Sequence, residues 1–412
     1  MDEANGIRQL VEIAFFASLC TEESQPIKCR LAFADPKKPN PTGPSKTQSD
    51  GWSIFCLENS LPLTVENLVK IAAGTPTYAS EILVYTDSNG QPIIWGLADQ
   101  IIHYQSFMNR ETEKAFHRPG FFQIEICGIG ELQVFRKTEV IATLRHGAVR
   151  DRYLNPLLSG PILKRLIKYY SSCANKAAHI ASDKDKKIFQ RQRQRLLREA
   201  IQFWISALSR ILTGIRRQRH GGALLLTPRV RENDILKIKY KIQTSKLEDL
   251  ISKYVASRCM RDFYKGRISS RGGPIPASLY NNAEVNHSEA ERSNEEISGL
   301  INLIIGLSRV DGLILMEKGL NLAGFGVEIR SLEEPESVYI AADAEGISDN
   351  LQEIPVSHYG TRHRSMFRYC YSHPAAVGFV ISQDGDIRAV TRVEDRVVMW
   401  NNIKLSGPIG GS

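Results

Sequence analysis

The sequence has no apolar run long enough to cross a bilayer. Its most apolar stretches, Val11 to Cys20 and Leu300 to Leu307, are far shorter than the roughly 20 residues of a transmembrane helix. Asp2 and Glu3 precede the first stretch, at the position where a secretory signal carries positive charge. We therefore expect no membrane span and no membrane partner, and a cytoplasmic location.

Paired cysteines of the kind that hold zinc or build disulfide scaffolds are also missing. The seven cysteines are scattered, and none belongs to a Cys-x-x-Cys pair. An odd number fits reduced thiols better than a disulfide framework. The pattern argues against a disulfide-rich secreted domain and gives no support to a structural zinc site.

Most of the chain lacks excess positive charge, although the formal net charge is +8. The segment from Asp183 to Arg219 holds eleven Lys and Arg against three Asp and Glu, so the remaining sequence is balanced. Apolar residues recur at helical spacing in this segment, which favours a packed helix with a solvated basic face. Polyanion binding is the alternative, and nucleic acid is not an expected partner.

Length and composition predict a folded chain of more than one domain. The 412 residues exceed the size of an ordinary single core, and 42% hydrophobic and 24% charged residues are typical of globular proteins. We predict a mixed α/β (α+β) fold. Its parts are an α/β region at 1–155, a helical region with short strands at 156–265, a linker at 266–288, and a mixed sheet flanked by helices at 289–412.

Strand and hairpin signals dominate the first 150 residues. Asn89-Gly90 predicts a tight hairpin, and residues 128–130 predict a second one. Pro36 to Ser49 reads as an exposed loop. The composition predicts a helix at 64–73 and strands at 28–34, 52–57, 81–85 and 92–97.

Long helices and short buried strands are predicted for the rest of the chain. The helices are expected at 157–181, 184–217, 246–263, 291–309 and 361–371. The strands are expected at 221–227, 235–242, 310–316, 321–329, 376–382 and 386–393.

An acidic residue stands at the mouth of one of these buried strands. Asp311-Gly312 leads directly into the apolar run Leu-Ile-Leu-Met. A carboxylate at such a place requires hydrogen bonds, a cation or a metal, and the glycine permits a close approach to the backbone. An Asp-Gly pair by itself is more often a turn, so this feature gains meaning from a second motif.

The second motif is the run Gly-Thr-Arg-His-Arg-Ser at 360–365, which precedes a predicted helix. Guanidinium groups match phosphate oxygens, and free amides at a helix start add donors and a favourable dipole. The motif therefore predicts a phosphate-binding site. A solvated basic turn is the alternative.

Together these motifs resemble the catalytic domain of diadenylate cyclases. That family carries Asp-Gly-Ala, then Gly-Thr-Arg-His-Arg, then a strand ending in Ser-Glu-Glu. This chain has Asp311-Gly312-Leu313, the run at 360–364, and Ser382-Gln383-Asp384 in the same order. The resemblance covers roughly Glu291 to Leu405, and the region upstream is similar to sensor regions attached to such cyclases.

The resemblance implies an ATP-using enzyme that makes cyclic di-AMP and pyrophosphate. Two domains would face each other with one ATP each, so a homodimer or higher homo-oligomer is implied, with an unknown ligand for the sensor region. Asp311 and Asp384 would hold Mg²⁺ or Mn²⁺. The implied catalytic residues are Asp311, Gly312, Arg362, His363 and Arg364. The implied nucleotide-binding residues are Leu313, Gly326, Gly360, Thr361, Ser365 and Ser382.

The sequence departs from the family pattern in all three motif regions. Leu313 replaces alanine, Ser365-Met366 replaces Ala-Ala, and Gln383-Asp384 replaces Glu-Glu. These changes favour an alternative, in which the chain is a catalytically weak or inactive module that binds a nucleotide or cyclic dinucleotide and has a regulatory role.

Overall fold

The structure is a computed structural model of the 412-residue chain. It describes residues 3–37, 52–75, 79–100, 122–136, 139–145, 147–150, 155–230, 235–330, 333–346, 351–383, 386–401, 403 and 405. The chain divides into two units, Met1–Tyr153 and Leu154–Leu405. Most of the loop predicted at Pro36 to Ser49 lies outside the described residues.

The described residues of the first unit form an eight-stranded sheet and two α-helices, α1 (Glu3–Ser18) and α2 (Val65–Ala72). The strand order of this sheet is β10-β9-β8-β7-β3-β5-β6-β4, in which β3 and β5 pair in parallel and the other neighbours pair antiparallel. Two further short strands, β1 and β2, pair with each other. The strands are β1 (Thr21–Glu22), β2 (Gln25–Pro26), β3 (Cys29–Phe33), β4 (Trp52–Pro62), β5 (Ser80–Thr86), β6 (Pro92–Gln100), β7 (Phe122–Gly128), β8 (Glu131–Arg136), β9 (Glu139–Arg145) and β10 (Ala148–Arg150).

Buried apolar residues lie on both faces of this sheet. Leu10 of α1 and Leu68 of α2 pack with Leu31 of β3 in one core cluster. Ala32, the next residue of β3, belongs to a second cluster with Trp95. Successive residues of a strand point to opposite faces, so the two clusters lie on opposite sides of the sheet.

The turn signals of this unit are confirmed. Gly90, between β5 and β6, has φ 81°, and Gly130, between β7 and β8, has φ 65°. Both strand pairs are antiparallel, as hairpins require. The Oγ1 of Thr64 accepts a hydrogen bond from the amide of Asn67 at 3.2 Å and caps α2.

In the second unit, the residues that the structure describes form a nine-stranded sheet and five α-helices. The helices are α3 (Gly160–Lys184), α4 (Lys186–Arg217), α5 (Lys246–Ser269), α6 (Ala277–Leu307) and α7 (Thr361–Ser372). The strands are β11 (Gly222–Leu226), β12 (Leu236–Thr244), β13 (Leu313–Glu317), β14 (Asn321–Ile329), β15 (Ser337–Ile340), β16 (Gln352–Pro355), β17 (Val377–Ile381), β18 (Ile387–Val393) and β19 (Arg396–Trp400). With the first unit, this confirms the predicted mixed α/β class.

The strand order in the second sheet is β12-β14-β13-β11-β17-β18-β19-β15-β16. The pairs β11 with β13 and β15 with β19 are parallel, and the other neighbours are antiparallel. In this order β11 is the fourth of nine strands, so it lies near the centre of the sheet. All five of its residues are buried, as expected for a strand covered on both faces.

Two helical layers enclose this sheet. Leu224 and Leu226 of β11 pack in a core cluster with residues of α3, α4, α5 and α6. Ala223 and Leu225 pack in the opposite cluster, together with Phe367 of α7. The four long helices thus cover one face, and α7 covers the other. No helix among the described residues has the length and apolarity needed to cross a membrane.

The chain from Leu154 to Leu405 is one unit, which differs from the three consecutive parts predicted for it. Most of the predicted linker at 266–288 is helical, because α5 continues to Ser269 and α6 begins at Ala277. The glycines and prolines mark a turn between two helices that pack together, and they do not mark a domain boundary. Strands β11 and β12, predicted in a separate region, belong to the same sheet as β13 to β19.

The fold predicts a large cost for truncating β11. Leu225 is fully buried on the α7 face, so Leu225→Ala removes packed methyl groups and leaves a cavity. We expect the free energy of unfolding to fall by about 2–5 kcal/mol in urea denaturation. Leu303→Ala is the matched control, since Leu303 is 57% exposed on α6 and its loss should cost about 0.5 kcal/mol or less. Equal effects of the two changes would contradict the assignment of β11 to the core.

Candidate active site

Strand pairing brings three distant segments to one edge of the second sheet. Leu224 of β11 pairs with Ile314 of β13 in parallel, so both strands begin at the same edge. Gly222 of β11 pairs with Ile381 of β17, so β17 ends there. Just outside these strand ends lie Gly221, Asp311-Gly312 and Ser382, and Gly326 lies next to Val327, the partner of Leu313. We call these five residues the motif edge.

Two glycines of the motif edge allow β13 and β14 to approach closely. Gly312 has φ 115° and Gly326 has φ 61°. A Cβ on Gly312 would lie 2.5 Å from the carbonyl carbon of Gly326 and 2.7 Å from its Cα, so no other side chain fits without a shift of the backbone. The close approach predicted from Asp311-Gly312 is therefore made by the neighbouring strand. Asp311 itself is exposed.

Helix α7 begins with the run of basic residues. The carbonyl of Gly360 accepts hydrogen bonds from the amides of His363 at 3.0 Å and Arg364 at 3.1 Å. Gly360, Thr361 and Arg362 are all exposed. The first amides of a helix lack intrahelical acceptors, so this end of α7 can donate to an anion.

Arg362 connects α7 with the motif edge. A Cβ built on Gly221 would lie 2.8 Å from Nη1 of Arg362 and 3.4 Å from Cγ of Gln383. Gly221 has φ 69°. The guanidinium therefore lies against the backbone at the start of β11 and beside the end of β17. A glycine at 221 leaves the space that this arginine uses.

Arg364 has a different partner. Its Nε and Nη2 donate to the two carboxylate oxygens of Glu334 at 2.9 and 2.6 Å. Arg368, one helical turn later, donates to the same carboxylate at 3.0 Å. The hydrogen bond from Arg364 is the main cause that lowers the pKa of Glu334. The sequence groups Arg364 with Arg362, whereas the structure gives the two arginines separate surroundings.

His363 is half-buried between aromatic rings and arginines. Its Nε2 lies 2.8 Å from Nη1 of Arg388 on β18, and its ring lies 5.5 Å from that of Tyr359. Burial, together with the positive charges of Arg388 and Arg362, lowers the pKa of His363 from 6.5 to about 4. The imidazole is therefore neutral near pH 7.

The four remaining predicted residues have different surroundings. Leu313 is 6% exposed, and its side chain packs in the core on the α7 face. Ser365 is half-buried on α7. Ser382 closes a turn, because its amide donates to the carbonyl of Asp386 at 2.9 Å and its Oγ accepts from the amide of Asp386 at 3.0 Å. Asp384 lies outside the described residues.

Several residues around the site were not predicted from the sequence. Gly221 had a detectable signal, because it directly precedes β11 much as Gly312 directly precedes β13. Glu334 and Arg388 stand in no recognisable motif. Lys239 of β12 is a further basic neighbour: Glu328 is the main cause that raises its pKa, and Asp311 contributes in the same direction.

Of the two predicted metal ligands, Asp311 lies among the described residues and its carboxylate is exposed. Among the described residues no cluster of three or more His, Cys, Asp or Glu side chains is arranged to hold a metal ion. Mg²⁺ in nucleotide-using enzymes is often held by one or two carboxylates, substrate phosphates and water. Asp311 beside the basic start of α7 fits such a cation, which would be held chiefly through the nucleotide.

The approach of β13 and β14 predicts that Gly312→Ala is strongly destabilising. The new Cβ would overlap the backbone of Gly326, and alanine is strained at φ 115°. We expect a loss of more than about 2 kcal/mol in the free energy of unfolding. Gly299→Ala is the control: a Cβ there meets nothing within 4 Å, and alanine favours the helix by roughly 0.5–1 kcal/mol. A Gly312→Ala protein as stable as this control would contradict the geometry.

The neutral His363 predicts a definite pH dependence of stability. Between pH 6.5 and about 4 the unfolded chain binds a proton at this residue, whereas the folded chain does not. The contribution of His363 to the free energy of unfolding is therefore complete above pH 6.5 and is lost as the pH falls towards 4. Denaturation of the wild type and of His363→Gln across this range should show a steeper decline in the wild type, and an imidazole that titrates near 6.5 by NMR would contradict the expectation.

Comparison with known proteins gives a family match in the first unit. Residues 1–99 match the family described as "Probable sensor domain DACNV", an N-terminal domain of diadenylate cyclases. No curated protein matches the chain. A solved structure described as a hypothetical membrane spanning protein from Bacillus cereus is 11% identical, covers 58% of this chain and 93% of its own, and has a TM-score of 0.23, too low to support any argument. The N-terminal part of this chain is therefore similar to a sensor domain associated with diadenylate cyclases.

Proposed function

We propose that the chain is a diadenylate cyclase, which condenses two ATP molecules into cyclic di-AMP and whose N-terminal region acts as its sensor. The observation that carries the proposal is the convergence of Asp311-Gly312, Arg362 and Ser382 on one edge of a buried sheet. These residues belong to the three motifs of the cyclase resemblance and are far apart in sequence. The sensor-domain match at residues 1–99 supports it independently.

The start of α7 is suited to hold the triphosphate. Arg362 offers a planar set of donors, and the amides of the first turn add hydrogen bonds and the positive end of the helix dipole. Thr361 adds an exposed hydroxyl at the same end. Gly312 and Gly326 let β13 and β14 approach closely, which fixes the backbone that carries Asp311.

Asp311 is the proposed acidic group of the reaction. Together with the nucleotide phosphates it would hold Mg²⁺ or Mn²⁺, and Asp384 is the second candidate ligand. The bound cation would neutralise charge at the α-phosphate. The carboxylate of Asp311 would also orient the 3′-hydroxyl of the facing nucleotide, whose oxygen forms the new bond to phosphorus while the bond to pyrophosphate breaks.

The reaction requires two copies of the site. One bound ATP cannot supply both phosphodiester bonds of the ring, so two domains must present their nucleotides to each other. We propose a homodimer, or a higher homo-oligomer, as the catalytic form. The sensor region would regulate how these domains meet.

A second candidate function is a regulatory module that binds nucleotides with little or no turnover. Arg364 and Arg368 are both engaged by Glu334, so the start of α7 offers less free positive charge than the motif predicts. Leu313 adds side-chain volume to the core directly after Gly312. A site of this kind can retain ATP while the α-phosphate lacks full stabilisation.

The full-length protein, incubated with ATP and either Mg²⁺ or Mn²⁺, separates the two functions. We expect cyclic di-AMP by mass spectrometry, and a fall of about 100-fold or more for Asp311→Asn. Asp395→Asn is the matched control, because Asp395 is 95% exposed after β18, and it should retain activity. A wild type that binds ATP but makes no dinucleotide with either metal supports the regulatory function, and an active Asp311→Asn protein contradicts the role of Asp311.

A further inference from the structure

Arg388 is a basic residue of the site that belongs to none of the three motifs. It lies on β18 opposite Val380 of β17, and β17 separates β18 from β11. Its side chain is 24% exposed, and its Nη1 lies 2.8 Å from Nε2 of His363. The residue therefore reaches from the sheet to the first turn of α7.

The chemistry of this pair determines the position of the imidazole proton. Arginine carries five N–H donors, has no acceptor and stays charged in proteins. A hydrogen bond between Arg388 and Nε2 therefore requires an unprotonated Nε2. The ring proton must then reside on Nδ1, and His363 must be neutral.

The surroundings of the pair favour the same state. Arg362 places a second positive charge near His363, and the rings of Tyr359 and Phe367 lie 5.5 and 6.2 Å from the imidazole. The carboxylate of Asp386 lies near Arg388, with Oδ2 3.9 Å from Nη2. The Nε of Arg388 is buried and has no hydrogen-bond partner in the part of the chain that the structure describes.

We propose that Arg388 is a positioning residue that holds His363 in its neutral Nδ1–H tautomer, so that His363 serves the phosphate site as a neutral hydrogen-bond donor. The assignment of a phosphate ligand rests on the proposed function, whereas the assignment of the tautomer does not. His363 then cannot act as a general base, because Nε2 is already bound and Nδ1 already carries a proton. The proton of the attacking hydroxyl must leave through Asp311 or water.

The tautomer can be read directly by NMR of the ¹⁵N-labelled full-length protein. At pH 7 the imidazole of His363, assigned by its loss in His363→Asn, should show a protonated Nδ1 and an unprotonated Nε2. In Arg388→Gln we expect a mixture rich in the Nε2–H form. Arg388→Lys keeps a charged donor and should retain the Nδ1–H form. Arg396→Gln, an exposed change on the neighbouring strand β19, should leave the ring unchanged.

ATP affinity provides a second readout. Arg388→Gln should weaken binding about tenfold, Arg388→Lys less than threefold, and Arg396→Gln not measurably. The proposal is overturned if His363 of the wild type shows the Nε2–H form or is protonated at pH 7, or if Arg388→Gln leaves its tautomer unchanged. If the tautomers behave as expected but the wild type binds no ATP, the assigned role of Arg388 at His363 stands and the proposed cyclase function fails.

Discussion

The candidate site depends on the pairing of β11 with two strands of opposite direction. Its parallel pairing with β13 and antiparallel pairing with β17 bring Asp311 and Ser382 to the same edge. All residues of β11 are buried, and a shift of one residue would exchange the side chains that face the four long helices and α7. The cost of such a shift specifies the register strongly. The core thus fixes where the three motifs meet.

Sequence reasoning predicted the elements that have a strong hydrophobic period. The long helices, the strands beginning near Gly222 and Leu313 and the helix after Gly360 all follow from local patterns. The prediction of a domain linker at 266–288 was wrong. Glycine and proline mark a turn between two packed helices as readily as they mark a linker between domains. Strands β15 and β16 carry only four residues each, too few for a clear pattern.

The side-chain partners of the arginines in the site could not be predicted from the sequence, for a different reason. The bonds of Arg364 to Glu334 and of Arg388 to His363 join residues that neither share a motif nor have a fixed spacing. These bonds give the three basic residues at 362–364 three different surroundings. Arg362 is directed to the motif edge, His363 is held neutral, and Arg364 is paired with a carboxylate. The sensor-domain match at residues 1–99 and the cyclase resemblance at roughly 291–405 share no residues, so they support the proposed function independently.

Mapping of backbone amide shifts tests most directly whether a nucleotide binds at the motif edge. The full-length, deuterated protein would be titrated with a non-hydrolysable ATP analogue and Mg²⁺. We expect the largest shifts at Gly221, Gly312, Gly326 and Arg362, with a smaller effect at Arg364. Saturable binding that leaves these amides unchanged while shifting others would contradict it.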